Sequence, residues 1–343
     1  MITGMAPLIE MVQRNCHIAD ARHAREMTMC TYLLEMREFY RWEHDLPPGS
    51  TLPREDIGRW ITEREALWEG IVEAEFVPLP LAGALHDPFA ALAVNEALLP
   101  QGLVYGAGIG RFRKPHFFLG RLARTETYDG LRVLVCECEY ARDLTAIPAA
   151  LQGGTVIVRR EALRQWLWEK AEAWGMKRQP GAMARALAAY DYDTDPAAAL
   201  ARMTERETET LILHERGEYA AGKLLGPGWE EMIAGFTSRR AELAVRAVRD
   251  NLADCLVTLP ALLGQENAAS LHFWFANFDG LRRALFPLLA GAYDQYLASA
   301  NPATLHSAVA AGHQHWLAVA RRLLTLGEET IAALVGDHTA IAL

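Results

Sequence analysis

The residues with the clearest potential for chemistry form the run 214–218, His-Glu-Arg-Gly-Glu. His214 and Glu218 are four positions apart, so an α-helix places their side chains on one face, one turn apart. Imidazole nitrogens and carboxylate oxygens are both common ligands of zinc, iron and manganese. The spacing therefore predicts that His214 and Glu218 bind one divalent transition metal, with Glu215 beside them as the general base of a catalytic site.

The same run departs from the His-Glu-x-x-His motif of zinc peptidases, because Glu218 stands where that motif has its second histidine. This departure argues against a peptidase. Carboxylate and imidazole ligands on facing helices also form iron and manganese sites in helical bundles, although the sequence lacks the Glu-x-x-His pair typical of those sites. The alternative interpretation of His214 and Glu218 is an ion-paired or solvated helix face.

Two residues of later helices are predicted to complete the coordination of the metal, namely His272 and Asp254. His272 lies in the apolar run 271–275, where a histidine is also commonly a hydrogen-bonded core residue. Asp254 follows Asp250 by one helical turn, and the neighbouring Arg249 makes an ion-paired surface the alternative interpretation.

A second candidate is the glycine-rich stretch 106–114, which ends in the cations Arg111, Arg113 and Lys114. Glycine backbone followed by cations can cradle a phosphate group. The stretch has Arg111 where a dinucleotide-binding fingerprint requires a glycine three residues after Gly108, and no helix is predicted to follow, which excludes a Rossmann interpretation. An anion site and a plain glycine-rich turn remain as the two interpretations.

Two further patterns are better explained by structure than by chemistry. Cys136 and Cys138 would share one face of a strand, and no second cysteine pair complements them, so we expect core thiols. Asp191, Asp193 and Asp195 alternate like the start of a calcium loop but lack its glycine and its final glutamate. Asp195 precedes a proline and is predicted to cap a helix.

Composition narrows the functional classes. The 343 residues are 51% hydrophobic and 22% charged, as in ordinary globular proteins, and the net charge of −9 argues against a nucleic-acid partner. The sequence contains neither an apolar run long enough to cross a bilayer nor a signal-peptide pattern at its start. The five scattered cysteines do not suggest a disulfide framework. We therefore expect a soluble cytoplasmic protein without a membrane span.

The elements that must position these residues are mainly helices. The Asp129-Gly130 pair between apolar runs predicts a β-hairpin, and Thr204 with Glu207 matches the capping box that opens a long helix. The predicted strands cover 115–124, 131–140 and 155–159. The predicted helices cover 20–44, 53–77, 88–99 and 166–175, and then, from 196 onward, a series separated by short turns that includes 238–259, 268–284, 288–297 and 302–324.

These patterns predict a mainly α protein with a small β insertion. Residues 1–185 should form an α+β domain with its hairpin region at 102–159, and residues 186–343 an all-helical bundle. Two functional classes stay open. The first is a metalloprotein, an oxidoreductase or hydrolase that uses iron, manganese or zinc. The second is a non-catalytic binding or assembly protein with a small-molecule, protein or homo-oligomeric partner.

Overall fold

The structure is a computed structural model that describes residues 5–81, 83–110, 113–152, 154–265, 268–336 and 340–343. It is 65% helical, with a small curled sheet region in the N-terminal half and helices in the C-terminal half. The predicted mainly α class with an N-terminal β part is confirmed at this level. The chain divides into two compact units, Met1–Glu169 and Lys170–Leu343, and this division falls earlier than the boundary predicted after residue 185.

Helices precede the main sheet of the N-terminal unit. The single helix predicted over 20–44 is two helices, because Thr28 interrupts it: its backbone is extended and its hydroxyl accepts a hydrogen bond from the backbone N–H of Thr31. The helices are α1 (Met5–His23), α2 (Met29–Glu43), α3 (Arg54–Ile71) and α4 (Ala91–Leu98).

The main sheet has five strands in the order β3-β4-β5-β7-β6 and follows a short hairpin of β1 and β2. β5 and β7 are parallel, and the other neighbours are antiparallel. Helix α1 packs Val12 and Cys16 against Phe117 and Leu119 of β4 in the core of this unit. The strands are β1 (Leu79–Leu81), β2 (Ala84–His86), β3 (Leu103–Ile109), β4 (Pro115–Tyr128), β5 (Leu131–Arg142), β6 (Ala149–Gln152) and β7 (Thr155–Arg159).

The predicted hairpin at Asp129-Gly130 joins β4 to β5, and both residues have positive φ, as a type I′ hairpin turn requires. The interpretation of the stretch 106–114 as a plain glycine-rich turn was wrong for its first part, because residues 106–109 belong to strand β3. Glycine serves packing there. A Cβ atom on Gly106 would lie 2.1 Å from the ring of Phe118 on the neighbouring strand.

Helices form the C-terminal unit, where Trp229 and Trp316 are fully buried in one large core cluster. Helix α5 begins immediately after β7 and runs across the division between the units. The helices from there on are α5 (Arg160–Lys177), α6 (Ala182–Ala189), α7 (Pro196–Leu225), α8 (Gly228–Gly235), α9 (Arg239–Ala253), α10 (Leu259–Leu263), α11 (Ala269–Ala276), α12 (Gly280–Leu285), α13 (Pro287–Ser299), α14 (Ala303–Leu323) and α15 (Glu328–Gly336).

The predicted capping box at Thr204 and Glu207 was wrong, because both residues lie inside the 30-residue helix α7. The cap is Asp195, whose carboxylate accepts a hydrogen bond from the backbone N–H of Ala198, as predicted for that residue. Glu207 is buried and accepts a hydrogen bond from the hydroxyl of Tyr190. A tertiary partner therefore explains the acidic residue that resembled a local cap.

A π-helical segment, Asp254–Thr258, continues α9 and leads into α10. Helices α7 and α9 approach closely beside it, because a Cβ atom on Gly217 would lie 2.5 Å from the carbonyl oxygen of Ala253. Segments of this kind are frequent at functional sites because they turn side chains out of the regular helical phase. The contact brings the middle of α7, with His214, next to Asp254.

Candidate functional site

Three of the four predicted metal ligands lie together in the C-terminal unit. The Nδ1 atom of His214 is 3.0 Å from Oδ1 of Asp254, and its Nε2 atom is 3.4 Å from Oε1 of Glu218. Burial alone would lower the pKa of His214, but the charges of Asp254 and Glu218 raise it well above its ordinary value. The imidazole is therefore a cation held between two carboxylates, each facing a different ring nitrogen.

Two arginines take up the remaining oxygens of these carboxylates. Arg282 donates to Oδ2 of Asp254, and Trp274 donates to Oδ1 of Asp254 at 3.4 Å. Arg249 lies 2.9 Å from Oε2 of Glu218. Despite burial, His214 and Arg249 hold the pKa of Glu218 at about 2. The cluster is consequently a network of closed ion pairs, with its negative charge largely matched.

Glu215, the predicted general base, is a buried neighbour of this network. Burial, followed by the charge of Glu218, raises its pKa to about 7. His272, the fourth predicted ligand, lies elsewhere, and its Nδ1 atom is 2.8 Å from the hydroxyl of Tyr293. In the part of the chain that the structure describes, no set of three or more His, Cys, Asp or Glu side chains is arranged to hold a metal ion.

A second polar group, which the sequence did not lead us to predict, borders a cavity in the N-terminal unit. The cavity has a volume of about 180 Å³ and lies over strands β3, β4, β6 and β7. Gly106, Gly108 and Gly110 line one side, and His116 and Arg159 line it with their side chains. Gly108 pairs with His116 across the two strands, and a Cβ atom on Gly110 would lie 2.5 Å from the imidazole ring, so the glycines let this ring and its neighbours pack close to β3.

Asp143 holds the imidazole of His116 in place. Its Oδ2 atom is 2.5 Å from Nδ1 of His116, and the carboxylate is fully buried. Burial favours the neutral acid, but the charge of Lys114 and the hydrogen bond from His116 lower the pKa of Asp143 to about 2. An ionised carboxylate only accepts hydrogen bonds, so Nδ1 carries the proton in this contact.

Further buried charges support this pair. The Nζ atom of Lys114 lies 2.8 Å from Oδ1 of Asp20 and 3.7 Å from Oδ2 of Asp143. Arg159 donates from Nε and Nη2 to the two oxygens of Glu139, at 2.7 and 2.9 Å. Nη1 of Arg159 is 4.0 Å from Oδ1 of Asp143, which is buried without a hydrogen-bond partner. A buried acceptor without a partner is uncommon and marks a place where function is to be sought.

The predicted phosphate site was to use the cations Arg111, Arg113 and Lys114. Arg111 lies outside the described residues, and the side chain of Lys114 turns inward to Asp20 instead of lining the cavity. The signal that could have identified the cavity is the alternation of Gly106, Gly108 and Gly110. Three glycines at every second position remove the side chains from one face of a strand, and here Phe118, Gln152 and His116 pack over that face at the wall of the cavity.

No helix in the described ranges is both long enough and apolar enough to cross a membrane.

Comparison with known proteins identifies a family for both halves of the chain. The model described as the N-terminal domain of a family of unknown function (DUF6866) matches residues 7–159. The model described as the C-terminal domain of the same family matches residues 164–339. Comparison with curated proteins gives no match, and comparison with solved structures gives none either. The two matches together cover most of the sequence, and the chain therefore belongs to the DUF6866 family.

Proposed function

We propose that the protein is an enzyme whose N-terminal cavity carries out proton transfer, with His116 as the general base and acid. The observation that carries this proposal is the contact between Asp143 and Nδ1 of His116 at the wall of the cavity. A carboxylate, an imidazole and an adjoining space for a ligand are the parts that general acid–base catalysis requires.

The tautomer of His116 follows from its partner. With the proton of the neutral ring held on Nδ1 by Asp143, the lone pair resides on Nε2, the atom that a Cβ on Gly110 would approach to 2.6 Å. A bound substrate would give its proton to Nε2, and the resulting imidazolium would be stabilised by the Asp143 carboxylate. The same proton would then return to another atom of the substrate or to solvent, which completes the cycle without any change in oxidation state.

The buried cation Lys114 keeps Asp143, the partner of this base, ionised. Lys114 is close enough to Asp143 to favour its ionised form, and Asp20 fixes Lys114 through a 2.8 Å ion pair. A carboxylate that stays ionised cannot become the proton acceptor itself, because its pKa is far below that of an imidazole. Asp143 and Lys114 are thus positioning residues, and His116 is the group that would touch the substrate.

The reactivity of His116 toward diethyl pyrocarbonate tests the proposal without knowledge of the substrate. Wild-type His116 should be acylated at Nε2, as measured by peptide mass spectrometry. In Asp143→Asn the carboxamide can donate to Nδ1 and stabilise the other tautomer, so we expect the rate at His116 to fall at least roughly tenfold.

The exposed His306 on α14 provides an internal reference, because its rate of acylation should be the same in both proteins. Circular dichroism establishes that the variant is folded. Equal rates at His116 in the folded wild type and variant would contradict the proposal, as would a wild-type His116 that does not react.

The metal site predicted at His214 and Glu218 is the second candidate, favoured by the contacts of His214 with both Glu218 and Asp254. It stays a prediction, with Glu215 as its base and iron, manganese or zinc as its metal. A metal would have to replace the ion pairs that now hold the imidazole, because each ring nitrogen faces a carboxylate and neither offers a free lone pair.

Elemental analysis of the purified protein tests this candidate. The metal hypothesis expects near-stoichiometric iron, manganese or zinc in the wild type and its loss in His214→Ala. His306→Ala, which removes an exposed histidine of the same unit, is the matched control and should retain the metal. A metal content that is unaffected by His214→Ala, or metal-free wild-type protein, would exclude His214 as a ligand.

A further inference from the structure

We infer that the cavity beside His116 binds a small monocarboxylate with a short aliphatic chain, whose carboxylate pairs with Arg159. This inference rests on the proposed function and specifies the class of its substrate. Two properties of the cavity support it: an N–H edge of the Arg159 guanidinium without a hydrogen-bond acceptor, and walls that are mostly apolar.

The guanidinium of Arg159 is positioned to bind an anion in the cavity. Its guanidinium is almost fully buried, is fixed by two hydrogen bonds to Glu139, and lies 4.3 Å above the ring of Phe118. Its Nη1 atom has no hydrogen-bond acceptor among the described residues, since Oδ1 of Asp143 is 4.0 Å away. A rigid guanidinium with a free N–H edge in a cavity is well suited to a planar carboxylate.

The other walls of the cavity indicate the size of the ligand and the apolar character of its chain. They are contributed mainly by Ala107, Phe118, Ile147, Leu151 and Ile157, with Gln152 as a polar residue near the mouth. A cavity of about 150 Å³ accommodates a ligand of roughly six non-hydrogen atoms, and the present one has about 180 Å³. Isobutyrate, with a carboxylate and a branched chain of that size, matches both the polar and the apolar part.

Isothermal titration calorimetry of the full chain with isobutyrate tests the inference. We expect binding with a Kd of about 1 mM or tighter, and at least roughly tenfold weaker binding of the neutral isobutyramide.

Ala150→Phe places a ring at the mouth of the cavity and should abolish isobutyrate binding. Ala150 is exposed, so the variant should fold. Ala123→Phe makes the same change at an exposed position of β4 outside the cavity lining and should bind as the wild type does.

Absence of isobutyrate binding, equal binding of isobutyramide, tighter binding of inorganic phosphate, or unchanged binding by Ala150→Phe would each overturn the inference. The failure of the ligand class can be distinguished from the failure of the proposed function. A His116 that reacts with diethyl pyrocarbonate as expected but binds no carboxylate refutes the substrate class alone. An unreactive His116 refutes proton transfer itself.

Discussion

Replacement of Lys114 by methionine is expected to lower the free energy of unfolding by about 3 to 5 kcal/mol. Lys114 is the cation between Asp20 and Asp143, and both carboxylates are completely buried. Methionine fills the space of the lysine stem but removes the cation that the two buried carboxyl groups share. Urea unfolding of the full chain, followed by circular dichroism, measures the loss.

Arg121→Met is the control for this substitution, because Arg121 pairs with Glu137 on the same sheet at side chains that are 53% and 47% exposed. That pair should contribute less than about 1 kcal/mol. The additional replacement Asp20→Asn should restore part of the stability lost in Lys114→Met, since it removes one of the uncompensated charges. A loss below about 1 kcal/mol for Lys114→Met would show that the ion pairs do not stabilise the unit.

The effect of Lys114→Met should also depend on pH. The pKa of Asp143 in the folded protein is about 2, below its ordinary value of 3.8. A group with a lowered pKa stabilises the fold fully above its ordinary pKa and loses this contribution as the pH falls through the folded value. The difference in stability between the wild type and Lys114→Met should therefore be largest above pH 4 and shrink toward pH 2.

In the C-terminal unit, Asp254→Asn is expected to lower the free energy of unfolding by about 3 to 5 kcal/mol at neutral pH. Asp254 is 1% exposed and pairs with His214 and Arg282, so the substitution leaves two cations without their shared counter-ion. Urea unfolding measures this change as well.

Glu242→Gln on α9 is the matched control for Asp254→Asn, because Glu242 forms only a half-exposed pair with Arg246 one turn away. Its stability should stay within about 0.5 kcal/mol of the wild type. Comparable losses in Asp254→Asn and Glu242→Gln would contradict the assignment of Asp254 as the centre of the buried network.

One contact of the C-terminal cluster could be predicted from the sequence, because it follows from helical spacing alone. His214 and Glu218 contact each other because they are four positions apart on α7, and the sequence spacing states this directly. Asp254 joins them through the π-helical segment, for which the sequence gives no comparable signal. His272 was proposed from residue type alone, and its actual partner, Tyr293, comes from another helix.

The N-terminal site could not be derived in the same way, because its parts are far apart in the sequence. Asp20 and Lys114 are separated by 94 positions, and they meet only when α1 packs on the sheet. The sequence ranges of β4, β5 and β7 were predicted nearly correctly. The order in which the strands pair, however, decides which side chains lie close together on the sheet. The parallel pairing of β5 with β7, which places Cys136 opposite Arg159, depends on that order.

The π-helical segment 254–258 has a consequence for variation in chain length. Such a segment is equivalent to one extra residue accommodated within an α-helix, so deletion of one residue there would restore regular α-helical winding. Each residue of an α-helix adds a rotation of about 100°, so one extra residue in a regular α-helix would turn everything after it by that angle. The π-helical segment absorbs this rotation, and the deletion should therefore leave the rotational phase between the polar cluster on α9 and the apolar face of α10 nearly unchanged.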